Sequence, residues 1–216
     1  MNLITGHKGF IGSNLFQAID AEGIDLKSNG DIRTHNFTKN YDVIFHTAAQ
    51  ASIPKSFEDP IESHSHNVSG TLRILEYARK TGAKVVFSSS SSIYDPVSPY
   101  AVQKKICEEY MEFYWTLGVK SIALRYFNVF GEGQERANGG YSLVVPIFQK
   151  QYKAWQPFTI YGTGEQRRDF VYVGDVVKAN LKAAEYLETA EKFEAIDIGT
   201  GINHSINEIA KMVGGE

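Results

Sequence analysis

Short apolar runs alternate along the chain with longer segments whose apolar residues recur at helical spacing. The runs predict buried strands at residues 2–5, 24–26, 41–49, 85–87 and 121–128. The segments between them predict helices at residues 10–19, 60–81 and 99–118. This alternation predicts an α/β fold with a doubly wound parallel sheet, whose ligand site lies at the carboxyl ends of its strands.

The pattern changes at Gly131. Residues 131–140 predict a loop, followed by a helix at 143–153, a strand at 158–161, a glycine turn at 162–164 and a helix at 206–213. We therefore predict two regions. Residues 1–130 form the doubly wound domain, and residues 131–216 form a smaller, lid-like region over the same sheet edge that partly returns to the first domain near 170–190.

Three glycines follow the first predicted strand. Gly6, Gly9 and Gly12 are three residues apart, and the first helix begins among them. Glycines at such a turn let the backbone approach a pyrophosphate, while the helix N-terminus supplies N–H groups and a partial positive charge. The spacing differs by one residue from the usual G-x-G-x-x-G, and a plain glycine-rich turn is the alternative. The position favours a dinucleotide site in a Rossmann-type fold.

The choice between NAD and NADP stays open on the residues alone. Asp31 stands 19 residues beyond Gly12, about where an acid would bond the adenosine ribose. A solvated turn residue is the alternative for Asp31. Lys8, Lys27 and Arg33 are close in sequence and would instead suit a 2′-phosphate. We expect NAD, with NADP as the alternative.

We predict the chemistry in residues 88–104, where a strand ends in five serines and a helix begins. Ser98 can cap this helix and Pro99 suits its first turn, which places Tyr100 and Lys104 on one face. A cation ~4 Å from a phenol, at an effective dielectric of ~20, is worth roughly 4 kcal/mol, or about 3 pKa units. With a strand-end serine hydroxyl nearby, proton transfer with an alcohol becomes feasible. The alternative is an ordinary helix with an exposed Tyr and Lys.

Composition narrows the class of protein. The 216 residues are 43% hydrophobic and 12% aromatic, as in a soluble globular protein. The net charge of -3 gives no general basic field for nucleic acid or membrane. No apolar run approaches a membrane span, and Met1 leads directly into a predicted strand. A single cysteine, Cys107, fits a reducing compartment, so we expect a cytoplasmic protein.

The histidines do not predict a metal site. His64 and His66 are two residues apart, so on a helix they point to different sides. His46 ends a predicted strand, where we expect it to satisfy a hydrogen bond in the core.

Together these residues resemble the extended short-chain dehydrogenase/reductase superfamily, in particular its NAD-dependent nucleotide-sugar epimerase/dehydratase family and the UDP-glucose 4-epimerase type. The matching blocks are residues 5–15, 46–52, 67–71, 87–94, 124–131 and 160–173, with the pair Tyr100 and Lys104. The resemblance implies a nucleotide-sugar 4-epimerase that reversibly oxidises the sugar 4-hydroxyl with tightly bound NAD. It also implies a UDP-hexose substrate, either glucose/galactose or the N-acetylated forms.

The family pattern implies a role for each matching residue. The catalytic residues are Ser90, Tyr100 and Lys104. The cofactor contacts are Gly6, Gly9, Phe10, Ile11, Gly12, Asp31, Ile32, Ala48, Ala49, Ser88, Tyr100 and Lys104. The substrate contacts are Ser52, Ser90, Asn128, Val144, Tyr161 and Arg168. On chemistry alone, Arg168 suits a diphosphate and Tyr161 could stack on a base, with a surface Arg and a core Tyr as the alternative.

The chain departs from the family pattern in two places. Ser90 and Tyr100 are ten residues apart, where the family usually has a much longer loop. The family pattern also continues beyond the helix at 206–213, which implies an incomplete C-terminal substrate-binding region.

These departures and the motifs leave alternatives. The 4,6-dehydratases carry Thr-Asp-Glu where this chain has serines at 90–92, so we do not expect dehydration. An NADP-dependent epimerase/reductase, which Lys8 would suit, and a cofactor-binding protein without turnover are the competing interpretations. Relatives often dimerise through two helices of each subunit, so we expect a homodimer through residues 60–81 and 99–118.

Overall fold

The computed structural model describes residues 1–28, 30–134 and 143–214. The strands are β1 (Asn2–Thr5), β2 (Ala21–Ile24), β3 (Val43–His46), β4 (Lys84–Ser90), β5 (Ser121–Tyr126), β6 (Asn128–Phe130), β7 (Arg167–Tyr172), β8 (Glu194–Ile198) and β9 (Asn203–Ser205). The helices are α1 (Phe10–Ala18), α2 (Ile53–Glu58), α3 (Pro60–His64), α4 (Gly70–Thr81), α5 (Pro99–Thr116), α6 (Val144–Lys153), α7 (Val173–Tyr186) and α8 (Ile206–Gly214). A π-helical turn (Ser65–Ser69) joins α3 to α4, and a 3-10 turn (Ser91–Tyr94) follows β4.

Six strands form one parallel sheet in the order β2-β1-β3-β4-β5-β8. The predicted α/β fold with a doubly wound, Rossmann-type parallel sheet is confirmed. The winding direction reverses beside β1, which lies between β2 and β3, and in such sheets the ligand crevice opens at this reversal. The usual order of a dinucleotide-binding sheet places a further strand outside the second one. In the described residues, β2 is the edge.

Apolar side chains fill both faces of this sheet, which explains the unbroken apolar runs of the sequence. Val85 and Phe87 of β4 pack with α4 and α5, whereas Val86 between them packs with α1 and α7. Phe87 is 1% exposed and Val86 is fully buried. Each such buried side chain contributes roughly 1.5–3 kcal/mol of hydrophobic stabilisation.

A smaller three-stranded sheet, in the order β6-β7-β9, belongs to the second half of the chain. β6 and β7 are parallel, and β7 and β9 are antiparallel. Helices α6 and α8 pack with this sheet through a separate apolar cluster around Phe148 and Phe170. Helix α7 instead packs on the large sheet, through Val176 and Val177.

The helix predicted at residues 60–81 is confirmed in its bounds, with a π turn at Ser65–Ser69 between its α-helical parts α3 and α4. Asp59 accepts the Glu62 N–H at its start, and Gly82 ends it with a φ of +78°. The π turn places Asn67 where its side-chain amide donates to the Gln50 carbonyl and to Gln103 Oε1. These contacts come from distant parts of the chain, so helical periodicity could not have predicted the turn.

The strand predicted at 158–161 is also wrong. Within the described residues this segment pairs with no strand, and the Thr159 N–H donates to Gln151 Oε1 instead. The predicted strand at 121–128 ends at Tyr126, and Asn128 already belongs to the smaller sheet. Most of the loop predicted at 131–140 lies outside the described residues.

Candidate active site

The turn between β1 and α1 is shaped for a close approach of the backbone. Gly6 has a φ of +74°, and a Cβ at this position would lie 2.7 Å from the Cα of Ala48. A Cβ on Gly12 would lie 2.2 Å from the carbonyl oxygen of Gly6. Only glycine fits either position. The predicted glycine turn therefore forms a cradle in which no Cβ covers the backbone at Gly6 and Gly12.

Helix α1 begins in this cradle. Its first flanking residue is Gly9, and no side chain in the described part of the chain caps it. Its first N–H groups are therefore of the kind that bind an anionic pyrophosphate. Phe10 and Ile11 pack into the apolar layer under the helix, so they would meet a cofactor through their backbone. The cradle fits a dinucleotide.

Two acidic residues lie in the region predicted for the adenosine ribose. Asp31 forms bonds with the Arg33 guanidinium, and Arg33 Nη1 also donates to Glu62. The Arg33 side chain, acting against the effect of burial, lowers the pKa of Asp31. Ile32 beside it is buried, and a Cβ on Gly70 would lie 2.9 Å from its Cδ1.

Asp25 is a second acid at this place, which our sequence interpretation did not single out. It follows β2 directly, and its carboxylate accepts the backbone N–H of Lys8 in the glycine turn at 3.0 Å and that of Lys27 at 2.8 Å. An acid at the end of the second strand is where a dinucleotide-binding sheet holds the ribose hydroxyls. No apolar run marks the end of β2 (Ala-Glu-Gly-Ile), so the sequence pattern did not place Asp25 at a strand end.

The floor of the crevice is the segment after β3. The Thr47 N–H donates to the carbonyl of Thr5, and the Ala48 N–H donates to Thr5 Oγ1 at 3.3 Å. Ala49 follows in the same segment, and Gln50 donates its N–H to Asn67 Oδ1 at 2.8 Å. Ser52 then caps α2 by accepting the Lys55 N–H. The floor is thus fixed to both the first strand and the π turn.

Helix α5 begins as predicted. Ser98 accepts the Ala101 N–H, Pro99 is the first helical residue, and the Tyr100 N–H donates to Ser56 Oγ at 3.3 Å. Tyr100 and Lys104 lie on one face, with the Lys104 Nζ 5.8 Å from the centroid of the Tyr100 ring.

The Lys104 ammonium is buried against the end of β4. Its side chain is 3% exposed, and Nζ donates to the Ser88 carbonyl at 2.6 Å and lies 4.5 Å from the centroid of Phe87. Burial lowers the pKa of Lys104 to about 8, against an opposing effect of Cys107 and Glu108. Since the group is still mainly protonated near neutral pH, it brings a positive charge close to the Tyr100 ring.

The serines that end β4 have different roles. Ser88 contacts the Tyr126 hydroxyl at 3.2 Å, and Ser89 donates to Glu108 at 2.5 Å. Ser90 begins the 3-10 turn, where its Oγ accepts the N–H of Ser92 at 3.2 Å and its hydroxyl at 2.9 Å. The Ser90 hydroxyl can therefore still donate its proton to another acceptor. A hydroxyl that bonds a substrate oxygen needs this freedom.

An ion pair braces the strand ends from the helix side. Arg125 bonds both carboxylate oxygens of Glu108, with Nη2 2.7 Å from Oε2. Arg125 Nη1 also donates to the hydroxyl of Tyr94, which donates in turn to Asp197 at 2.6 Å. These bonds hold β5, β8, the 3-10 turn and helix α5 together.

A cavity of about 240 Å³ lies beside the smaller sheet. Three of the predicted substrate contacts, Asn128, Val144 and Arg168, line it, together with Phe130 and Phe170. Asn128 is oriented by donating its side-chain N–H to the Asp169 carbonyl at 2.8 Å. Tyr161 is 81% exposed and does not line this cavity.

Two other kinds of site are missing from the described residues. No three His, Cys, Asp or Glu side chains in residues 1–28, 30–134 and 143–214 are placed to hold a metal ion. In the same ranges, no helix has the length and apolar character that crossing a membrane requires.

Comparisons with known proteins agree with this geometry. Residues 2–199 match the NAD dependent epimerase/dehydratase family. A putative UDP-glucose 4-epimerase of Methanocaldococcus jannaschii is 36% identical, over 99% of this chain and 81% of the relative. That alignment runs over 255 positions, more than the 216 residues of this chain, so the relative has residues without a counterpart here.

Solved structures give the same result. A UDP-N-acetylglucosamine 4-epimerase from Methanobrevibacter ruminantium, in complex with UDP-N-acetylmuramic acid, has a TM-score of 0.89 and 32% identity, over 98% of this chain and 80% of that one. A Thermus thermophilus UDP-glucose 4-epimerase in complex with NAD has a TM-score of 0.81 and 28% identity, over 99% and 82%. The chain described here is therefore a member of the NAD dependent epimerase/dehydratase family, on the nucleotide-sugar epimerase side of it.

Proposed function

We propose that the protein is an NAD-dependent 4-epimerase of a UDP-hexose. The observation that carries the proposal is the buried Lys104 ammonium, held by the Ser88 carbonyl beside the Tyr100 ring at the carboxyl end of β4. A buried cation at this position has a chemical use, since it stabilises the phenolate form of a neighbouring tyrosine.

In this proposal Tyr100 takes the proton of the sugar 4-hydroxyl and later returns it. Ser90 donates a hydrogen bond to the same sugar oxygen. Lys104 lowers the free energy of the Tyr100 phenolate and also binds the nicotinamide ribose. A general base in such a position contributes roughly 10²–10⁴-fold to the rate.

The glycine cradle and Asp25 support NAD as the cofactor. The backbone at Gly6, Gly9 and Gly12 would hold the pyrophosphate, and Asp25 would accept the hydroxyls of the adenosine ribose. When bound, NAD supplies the hydride acceptor and donor for C4 of the sugar. Ala48, Ala49 and Ser88 would line the cofactor.

The cavity beside the smaller sheet supports a nucleotide diphosphate. Arg168 carries a guanidinium suited to two phosphate oxygens, and Asn128 and Val144 lie beside it. Ser52, at the start of α2, would contact the sugar. Stacking of Tyr161 on the uracil base stays a prediction. It requires the exposed Tyr161 ring to move toward the cavity.

The sugar is chosen from what the relatives are named for. UDP-glucose and UDP-N-acetylglucosamine each name one of them. An NADP-dependent reductase is the second candidate, because Lys8 lies in the glycine turn. The Asp25 carboxylate on the Lys8 N–H argues against it, since that carboxylate would repel a 2′-phosphate.

The test is an assay of purified protein, loaded with NAD, on UDP-glucose, UDP-galactose and their N-acetylated forms. We expect interconversion of one pair without net consumption of NAD. The Tyr100→Phe variant should lose roughly 10²–10⁴-fold in kcat and still bind NAD. Bound NAD without turnover of any of these sugars would leave a cofactor-binding protein, and net consumption of NADPH in a parallel assay with added NADPH would identify a reductase.

A further inference from the structure

A chain of buried hydrogen bonds joins the crevice floor to the π turn. The Ala48 N–H donates to Thr5 Oγ1, which lies 2.7 Å from Nδ1 of His46. Nε2 of His46 lies 3.0 Å from Thr71 Oγ1, and the Thr71 hydroxyl lies 2.6 Å from the carbonyl oxygen of Asn67. Thr5, His46, Thr71 and Asn67 are each at most 2% exposed.

The donors and acceptors available along this row of hydrogen bonds fix where each proton lies. The Thr71 hydroxyl has one proton, and the contact with the Asn67 carbonyl uses it because a carbonyl only accepts. Thr71 Oγ1 must therefore accept from His46, which places a proton on Nε2. Nδ1 is then bare and accepts the Thr5 hydroxyl, which leaves a Thr5 lone pair for the Ala48 N–H.

We propose that His46 is a positioning residue for the cofactor, which as the neutral Nε2–H tautomer orients Thr5 and so fixes the Ala48 N–H beneath the glycine turn. This inference rests on the proposed function only in that the turn binds a dinucleotide. The fit is tight at this point, since a Cβ on Gly6 would lie 2.7 Å from both N and Cα of Ala48. A small displacement of Ala48 therefore changes the shape of the cradle.

The same row of hydrogen bonds reaches helix α5. Cys107 Sγ, one turn beyond Lys104, lies 3.4 Å from the Asn67 carbonyl and 3.5 Å from Thr71 Oγ1. Burial, together with the charge of Lys104, lowers the pKa of His46 to about 3. His46 therefore stays neutral while the enzyme works, and it holds its geometry without exchanging a proton.

Two substitutions test the two hydrogen bonds of the His46 ring separately. In His46→Asn, the shorter amide places an oxygen near the site of Nδ1 and keeps the acceptor for Thr5. In His46→Gln, the longer amide reaches the site of Nε2 and keeps the donor to Thr71. By calorimetry, we expect the NAD dissociation constant to stay within about threefold for Asn and to rise about tenfold for Gln. Equal affinity for NAD in wild type and His46→Gln overturns the proposal.

A matched pair at Thr5 repeats the comparison if a His46 variant does not fold. Thr5→Ser keeps the hydroxyl, whereas Thr5→Val keeps the shape and leaves both the Ala48 N–H and His46 Nδ1 without a partner. We expect NAD affinity close to wild type for Ser and about tenfold weaker for Val. Equal NAD affinities for Ser and Val contradict the proposal.

The tautomer is tested on the wild-type protein by long-range ¹H–¹⁵N NMR of labelled histidine. From about pH 6 to about pH 9, we expect a protonated Nε2 and a bare Nδ1 for His46. A proton on Nδ1, or titration in this range, overturns the assignment. Neither NMR nor NAD binding requires turnover, so an inactive protein with these signatures would reject the epimerase and leave this inference standing.

Discussion

Lys104 places a charge inside the protein that folding alone would avoid. Burial lowers its pKa from 10.5 to about 8, so the unfolded chain binds the Lys104 proton more tightly than the folded protein does. The free energy of unfolding therefore rises with pH between about 8 and 10.5, and below about pH 8 the full penalty of the buried charge is present. A shift of this size corresponds to about 3 kcal/mol.

Replacing Lys104 by Met separates the fold from the chemistry. Lys104→Met should lose roughly 10²–10⁴-fold in activity, because Tyr100 loses its cation. Its stability relative to wild type should be highest near pH 7 and fall by up to about 3 kcal/mol as the pH rises to about 10.5. Urea unfolding at both pH values measures this difference. The same difference at both pH values would show that the Lys104 pKa is not lowered.

Asp25 is the residue at which we expect discrimination between NAD and NADP. Asp25→Asn replaces the carboxylate that we propose accepts the ribose hydroxyls by a weaker, neutral acceptor, so NAD affinity should fall about tenfold, with a smaller effect on NADP. Asp31→Asn is the matched control, because the Asp31 carboxylate is already bonded by Arg33. Calorimetric titration with each cofactor gives the comparison. A larger loss of NAD affinity in Asp31→Asn than in Asp25→Asn would indicate that Asp31, not Asp25, binds the ribose.

Sequence reasoning chose Asp31 because it stands 19 residues beyond Gly12, and it did not consider Asp25 because of a shift of two residues in one strand boundary. The pattern placed a strand at 24–26, with Asp25 inside it. The strand actually ends at Ile24, so Asp25 is the first residue beyond the sheet. Strand ends are set by tertiary hydrogen bonds, here including Gly6 N–H to the Ile24 carbonyl at 2.7 Å. An apolar run does not contain that information.

At the scale of elements, the glycine turn is the part that tolerates least change. In Gly12→Ala the new Cβ meets the Gly6 carbonyl oxygen and also the Thr47 hydroxyl at 2.7 Å, so the turn has to open. We expect NAD affinity to fall by roughly 100-fold or more. Gly82→Ala is the control, because Gly82 has a φ of +78° and nothing within 4 Å of its Cβ position. It should cost about 1 kcal/mol of stability and leave NAD binding unchanged.

Both variants are read by calorimetric titration with NAD and by urea unfolding. Wild-type NAD affinity in Gly12→Ala would show that the cradle does not carry the pyrophosphate. A loss of NAD affinity in Gly82→Ala would show that strain at any helix end disturbs the crevice.

Elements with local signals were predictable, and those fixed by distant partners were not. Helix α5 has its cap and its first-turn proline within three residues of Tyr100, so its start was predicted correctly. The π turn depends on Gln50 and Gln103, which lie 17 and 36 residues from Asn67. The segment 158–161 has the composition of a strand but no neighbouring edge to pair with in the described residues.

At the scale of the whole molecule, the site is assembled from both halves of the chain. Helix α5, with Tyr100 and Lys104, packs on the large sheet, whereas Asn128, Val144 and Arg168 line a cavity beside the smaller one. Periodicity predicted a parallel sheet with its ligand site at the carboxyl ends of the strands. It did not give the cavity, because the packing that brings β6, α6 and β7 together leaves no local pattern in the sequence. The resemblance to the family supplied those three residues.

A homodimer through α5 is the prediction at this scale. Val102, Tyr110, Phe113 and Leu117 form an exposed apolar row on that helix, with Phe113 56% exposed. Phe113→Glu should therefore shift a dimer toward monomer in light scattering after gel filtration, because a charge would be buried in the interface. Tyr152→Glu on α6, where Tyr152 is 52% exposed, is the control and should stay dimeric. A wild-type monomer at high concentration would reject this prediction.

In the proposed epimerase reaction, Tyr100 moves the proton of the sugar 4-hydroxyl while the hydrogen on C4 never reaches solvent. The most direct measurement is NMR of the UDP-hexose that the protein converts, incubated with NAD-loaded protein in heavy water. We predict that its 4-epimer forms with the C4 hydrogen fully retained as ¹H, and that Tyr100→Phe forms almost none. Deuterium at C4 of the product, or equal rates for wild type and Tyr100→Phe, would contradict the account.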